Sequence, residues 1–251
     1  MIRTILLILF IIGATHLSGQ SIRIFTENSN GWYMYNGDHK FSNKFGVHIE
    51  TQFRRNQLIV KPQQLLLRTG LNYHFSNIAF VTLGYCFVNT HPYGELPVKS
   101  IFPEHRIWEQ LQLKNQLGRF ENTNRFRLEQ RFVNLPVLTG LYYQPGVAVY
   151  SNRFRFLTRF SLPFKGKEIV DKSLYLTAYN EFFIAFGENV RYNIFDQNRA
   201  YIAIGFKIPK LGRLEIGYLN QLIFKSDGIN VENNHTLQVG LFSTINFYKN
   251  D

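Results

Sequence analysis

Arg125, Arg127, Glu129 and Arg131 occupy every second position between Asn124 and Phe132, and guanidinium and carboxylate groups at that spacing can do two kinds of chemistry. Left unpaired, a row of arginines binds anions through planar, multidentate donors. Paired with carboxylates, it forms charge-assisted hydrogen-bond networks in confined space. The intervening Phe126, Leu128 and Phe132 fall on the opposite phase, so the stretch reads as an extended strand with one charged and one apolar face.

The same two faces recur along the chain. His48, Glu50, Gln52 and Arg54, with Lys44 on the same phase, oppose Phe45, Val47, Ile49 and Phe53. Gln64, Arg68, Asn72 and His74 oppose Leu65, Leu67, Leu71 and Tyr73. In Ile78 to Thr90 the polar phase carries small residues, among them Thr82, Gly84 and Cys86. Further on, Arg106, Gln110, Gln112 and Lys114 oppose Ile107, Leu111 and Leu113, with Glu109 breaking the apolar phase. Arg153, Arg155 and Arg159 oppose Phe154, Phe156 and Phe160. Tyr175, Thr177, Tyr179 and Glu181 oppose Leu176, Phe182 and Ile184. Arg199, Tyr201 and Lys207 oppose Ile202, Ile204 and Phe206. Glu215, Gly217 and Gln221 oppose Leu214, Ile216 and Leu222, and a last segment sets Thr236 to Asn246 against Leu237 to Phe247. With 16% aromatic residues, 24 Phe and 14 Tyr, the composition favours strands.

The formal net charge of +11 does not make a nucleic-acid footprint, because the basic residues stand singly at alternate positions and form neither runs nor a helical stripe. No nucleic-acid partner is expected. Metal and cofactor chemistry is not signalled either: there is no Cys/His ligand spacing, Gly-rich phosphate loop or nucleophile elbow. The one cysteine, Cys86, reads as a small buried hydrophobe.

Met1 and Arg3 precede an apolar run from Ile5 to Gly13, followed by small and polar residues to Gly19. This is the pattern of a secretory signal, residues 1–19, with residues 20–251 as one all-β unit. Strands of about ten residues with a polar and an aromatic-rich apolar phase then point to a transmembrane antiparallel up-and-down β-barrel, apolar phase to lipid and polar phase to the lumen. A soluble sandwich is the competing architecture, but it would place Lys and Glu outside, where here Arg, Gln and Asn dominate. Eleven segments are clear, and an even count is the rule. Taking Ser21 to Glu27 as a first strand, separate from a Trp32 to Asn36 strand that turns at Gly37-Asp38, gives about twelve, with ten as the alternative. Turns after Asn36, Phe75, Leu117, Phe164 and Pro209 are the shorter set, and so the periplasmic one, opposite longer extracellular loops.

Leu65 to Tyr73 (LLLRTGLNY), Glu104 to Gln110 (EHRIWEQ), Arg125 to Phe132 (RFRLEQRF), Tyr179 to Phe182 (YNEF), Asp196 to Arg199 (DQNR) and Gly217 to Gln221 (GYLNQ) together resemble the domain of unknown function 2490 family. That resemblance spans essentially the whole mature chain. It implies an outer-membrane β-barrel of Bacteroidota, and carries no activity and no catalytic residue.

On this phase assignment the lumen is lined by Arg54, Arg68, Arg106, Gln110, Arg125, Arg127, Glu129, Arg131, Arg153, Arg155, Arg159, Glu181, Arg199, Glu215 and Gln221, with Lys44, Glu50, Lys114 and Lys207 on the same phase. Two readings of such a lumen stand open. It is a narrow pore or solute site for small anions, or a sealed structural scaffold filled by Arg–Glu networks. Because the arginines outnumber these acids, water or bound anions are expected inside. A third reading, a lipid-modifying enzyme, needs a hydroxyl and a histidine in reach on the lipid-facing wall. His48 and His74 point inward, His91 and His235 lie near loops, and Thr69, Thr158 and Ser243 stand alone. The loops His91 to Pro103 and Pro136 to Tyr150 are the candidate partner-binding segments of a scaffold. Outer-membrane lipid is the expected surrounding.

Overall fold

A computed structural model describes residues 23–247; the expected signal segment, residues 1–19, lies outside them. Among the described residues there is no α-helix. Eleven long strands close into a barrel and two short ones form a separate hairpin. The barrel strands are β1 (Ile24–Lys40), β2 (Phe45–Asn56), β3 (Lys61–His74), β4 (Ala79–Thr90), β5 (Phe102–Leu117), β6 (Phe120–Val133), β9 (Val149–Pro163), β10 (Leu174–Phe186), β11 (Phe195–Ile208), β12 (Gly212–Phe224) and β13 (Asn230–Ser243). The hairpin is β7 (Pro136–Thr139) and β8 (Tyr142–Pro145).

Consecutive barrel strands pair antiparallel, and β1 closes the sheet against β13 in parallel, from Ile24 opposite Asn230 to Gly37 opposite Ser243. Closure leaves no edge strand, so the backbone groups of every wall strand find partners within the sheet. An odd count requires one parallel seam, and eleven replaces the expected twelve or ten. The reason lies in β1. Ser21 to Glu27 and Trp32 to Asn36 are not two strands, because the polar stretch between them stays extended. Asn30 is fully buried; its Nδ2 donates to Asn234 Oδ1 (3.1 Å) and its Oδ1 accepts from Asn56 Nδ2 (3.1 Å). An amide ladder thus crosses the seam from β2 through β1 to β13. Gly37-Asp38 does not turn either. Asp38 reaches His48 Nδ1 at 2.8 Å and accepts from Asn72 Nδ2 at 2.9 Å, and the chain reverses only at residues 41–44.

One end of the barrel carries turns 41–44, 75–78, 118–119 and 209–211, with a longer connection at 164–173. The other carries 57–60, 91–101, 134–148, 187–194 and 225–229. We call these the short-turn and long-loop ends. The last strand stops at Ser243, earlier than the alternation through Phe247 indicates, although Phe247 N still donates to Lys40 O (2.9 Å) and its ring meets His39.

The two phases of the strands divide into an apolar outer face and a polar, charged inner face. Outward side chains such as Phe53, Leu83, Ile204 and Ile216 are more than half exposed, while the inward phase buries Glu50, Arg68, Arg127, Glu129, Arg155, Glu181 and Glu215. Small residues on the inward phase of β3 and β4 make room for Trp108 of β5: a Cβ on Gly84 would sit 2.7 Å from the indole. Cys86 lies beside that ring with Leu66 and Val88, fully buried. On the far wall Gly205 leaves the space that the Tyr175 ring fills.

Candidate functional site: a divided, arginine-lined lumen

Inside the barrel most of the buried charged side chains join one network, with Arg159 and Glu215 as a separate pair, because a charge taken from water costs several kcal/mol unless paired. Its hub is Glu129 of β6, wholly inaccessible to solvent. Glu129 accepts from Arg153 Nη2 (2.6 Å) and Arg155 Nη1 (2.7 Å), and faces Arg68 at 3.4 Å and Arg106 at 3.8 Å. Arg155 links it to Glu181 (2.7 Å), which also takes Arg125 at 2.7 Å and Arg199 at 3.6 Å. Arg153 continues to Asp196 (2.9 Å). Arg68 pairs with Glu50, Arg106 (2.8 Å) and Arg131 (2.5 Å) share Glu104, and Glu215 takes Arg159 and the Tyr175 hydroxyl (2.6 Å). The alternation of each strand aims these groups inward at two-residue intervals. The cross-strand register then sets Arg106 opposite Arg131 and Glu181 opposite Arg199.

The network divides the lumen. A vestibule of about 800 Å³ opens at the long-loop end and one of about 430 Å³ at the short-turn end. Gln52, Arg68, Arg155 and Arg199 line both, and so form the partition. Two buried arginines, Arg54 and Arg127, have no carboxylate within ion-pair distance among the described residues. Arg54 donates to Gln52 and Gln64 (Nη1, 2.5 Å) and lies 3.9 Å from the Trp32 ring centroid. Arg127 donates twice to Gln110 Oε1 (2.6 and 3.0 Å) and lies 4.6 Å from the Trp108 centroid. Amide oxygens and aromatic faces stabilise these cations without cancelling their charge. At the mouth of the larger vestibule the Tyr93 hydroxyl donates to Glu232 (3.0 Å), and burial together with that carboxylate pushes the phenol pKa up.

All fifteen residues assigned to the lumen by phase lie on the inward side of their strands. Thirteen take part in the network, the Arg159–Glu215 pair or the amide contacts as above; Gln221 donates to Gln197 (2.9 Å) beside Arg199, and Gln110 holds Arg127. Lys44, by contrast, sits exposed in the 41–44 turn, because the strand begins one residue later. Sequence reasoning passed over five inward acids: Asp38, Glu104, Glu121, Asp196 and Glu232. Glu104 was legible, being in phase with Arg106; Asp38 and Asp196 were hidden by misplaced strand ends. With these included, the excess of basic over acidic groups inside is smaller than the phase count implied, although Arg54 and Arg127 remain without a carboxylate.

Polar groups also occur on the outer wall. Glu109 is exposed in the middle of β5 and accepts from Gln130 Nε2 at 3.1 Å. On the opposite side of the barrel Tyr218 Oη lies 2.5 Å from His235 Nδ1, and His235 Nε2 lies 2.8 Å from Glu27. His235 is therefore a wall residue, the sixth of β13. Glu27 and His235 are 208 positions apart, so only the parallel seam reveals this hydroxyl–imidazole–carboxylate order. Among the described residues no group of three His, Cys, Asp or Glu side chains is arranged to hold a metal ion.

The family model described as Protein of unknown function (DUF2490) matches residues 29–233, and the chain belongs to that family. Neither a curated protein nor a solved structure matches it.

Proposed function

We propose that this member of the DUF2490 family is an outer-membrane β-barrel whose divided, cation-rich lumen admits small anionic solutes from the long-loop, extracellular end. The membrane placement is supported by the inversion of the wall, apolar outside and ionic inside, on strands of 12 to 17 residues, longer than the nine to eleven or so a tilted crossing needs. The anion reading is carried by one observation: Arg54 and Arg127 stand in the lumen on amide and aromatic partners, with no carboxylate in ion-pair reach among the described residues. A halide, carboxylate or phosphate is the natural counter-ion for such groups. The barrel stands between side-chain-filled eight-stranded barrels and the open 16- to 18-stranded porins, and its partition makes the resting conductance small.

Planar-bilayer conductance of the refolded mature protein under a salt gradient tests this. The reversal potential should be anion-selective, and Arg155→Ala, which removes one wall of the partition, should raise the conductance. A barrel that stays silent with Arg155→Ala, or that selects cations, overturns the reading and leaves a sealed scaffold.

The outer-wall series Tyr218, His235 and Glu27 favours a second reading, a lipid-modifying enzyme, since hydroxyl, imidazole and carboxylate stand in the order of a nucleophilic triad. Phospholipid hydrolysis by the refolded protein that disappears in His235→Ala would support it. No hydrolysis above a heat-denatured control would dismiss it.

A further inference from the structure

The connection between β6 and β9 differs from every other segment of the chain. From Phe132 to Asn152 there is no Asp, Glu, Lys, Arg or His, in a protein of formal net charge +11. Within it, β7 and β8 pair only with each other, Pro136 opposite Pro145 and Thr139 opposite Tyr142. The hairpin is tied down at its base, where Asn134 N donates to Pro103 O (3.1 Å), Gly146 N to Leu135 O (2.9 Å) and Asn134 Nδ2 to Gly146 O (2.8 Å), and β8 lies beside β5. Its tip is bare, with Leu141 90% exposed, Tyr142 73% and Leu138 62%, and Val147, just beyond the base, is 90% exposed as well.

A two-stranded hairpin is at best marginally stable alone in water, and this one presents apolar side chains on both faces. Contiguous exposed apolar surface of this kind marks a contact with another phase or molecule. Its continuity shows which. The apolar outer wall runs up β6 and β9 to Phe132 and Tyr150, whose rings lie 5.2 Å apart, and no charged residue stands between them and the hairpin. Tyr142, Tyr143 and Tyr150 have the amphipathic rings that suit a headgroup boundary.

We propose that the β7–β8 hairpin is an interfacial lipid anchor, leaning outward from the long-loop end so that Leu138 and Leu141 at its tip enter the acyl layer. It rests on the membrane reading of the barrel. The outer edges of two such short strands carry unpaired N–H and C=O groups, which cannot be left in hydrocarbon. The hairpin therefore lies at the headgroup boundary and does not add a crossing. The absence of charge is what makes shallow insertion favourable on every face.

Environment-sensitive fluorophores attached at Leu141→Cys and, in a separate protein, at Leu83→Cys on the outer wall test this, with Cys86 replaced by Ala. Leu141 is solvent-exposed at the tip, so the substitution leaves the fold unchanged. Each protein is refolded into phosphatidylcholine vesicles containing chain-brominated lipid, and quenching by bromine is compared with quenching by aqueous iodide. The expected result is bromine quenching at both sites with iodide protection at Leu141. Bromine quenching at Leu83 with iodide access at Leu141 would overturn the anchor and leave the membrane barrel standing. Protection of Leu141 from both quenchers would also overturn it, because a protein, a second copy included, then covers the tip. Loss of bromine quenching at both sites would bring down the membrane reading and the anchor with it.

Discussion

Replacing Glu129 with Gln preserves the shape of the hub and removes its charge, and the structure sets the size of the effect. The carboxylate accepts from Arg153 Nε (2.9 Å) and Nη2 (2.6 Å) and from Arg155 Nη1 (2.7 Å). An amide in its place offers one acceptor and turns a donor toward guanidinium donors. Breaking a buried ion pair costs about 3–5 kcal/mol because the remaining charge is left without compensation. Here Arg153 keeps Asp196 at 2.9 Å and Arg155 keeps Glu181 at 2.7 Å, so the loss falls at the lower end, about 3 kcal/mol. Glu121→Gln is the internal comparison. Its pair with Arg213 (2.7 Å) is more than a quarter exposed on both sides, and pairs open to water contribute about 0–1 kcal/mol. Urea unfolding of the refolded barrel, followed by tryptophan fluorescence, measures both, since Trp108 stands opposite Glu129 in the sheet register. Equal losses for the two variants, or less than about 1 kcal/mol for Glu129→Gln, would refute the hub.

At the seam, Asn30→Ala should cost about 1–3 kcal/mol by leaving Asn234 and Asn56 without their shared partner; Asn124→Ala, partly exposed on the outer wall, should cost less in the same unfolding assay. Gly84→Val places a branched side chain against the indole of Trp108. Overpacking of this kind costs about 1–3 kcal/mol, and a changed Trp108 emission should accompany it. In the 225–229 turn, the side-chain amide of Asn230 and the backbone N–H groups of Asn230 and Ile229 hold the exposed Asp227 carboxyl below its ordinary value. A depressed carboxyl stabilises the turn above the ordinary value, near pH ~4, and that contribution is lost as pH falls through the folded value. The amide resonances of Ile229 and Asn230 should therefore titrate with a midpoint below that of a free aspartate, and Asp227→Asn should abolish the titration.

Much of the wall could be read from the chain because side-chain direction in a strand has a period of two, and that period needs no tertiary information. The β6 stretch from Arg125 to Arg131, the β9 arginines and Glu181 of β10 declared both their phase and their chemistry in this way. Even the small residues Thr82, Gly84 and Cys86 were legible as a departure from the polar phase, although what they accommodate, the Trp108 ring, was not.

Strand number was not legible, because Asn, Ser and Gly at residues 28–31 favour turns in isolation. They remain extended here only because Asn234 and Asn56, distant in sequence, satisfy the amide of Asn30. The pairing of charges was hidden for the same reason. Alternation places Arg155 and Glu181 on inward phases, but which guanidinium meets which carboxylate depends on the register between strands. Local sequence thus determined two-faced strands and an ionic interior. The odd count, the parallel seam, the partition across the lumen and the meeting of Glu27 with His235 were decided by closure of the sheet, since closure alone brings the first strand against the last.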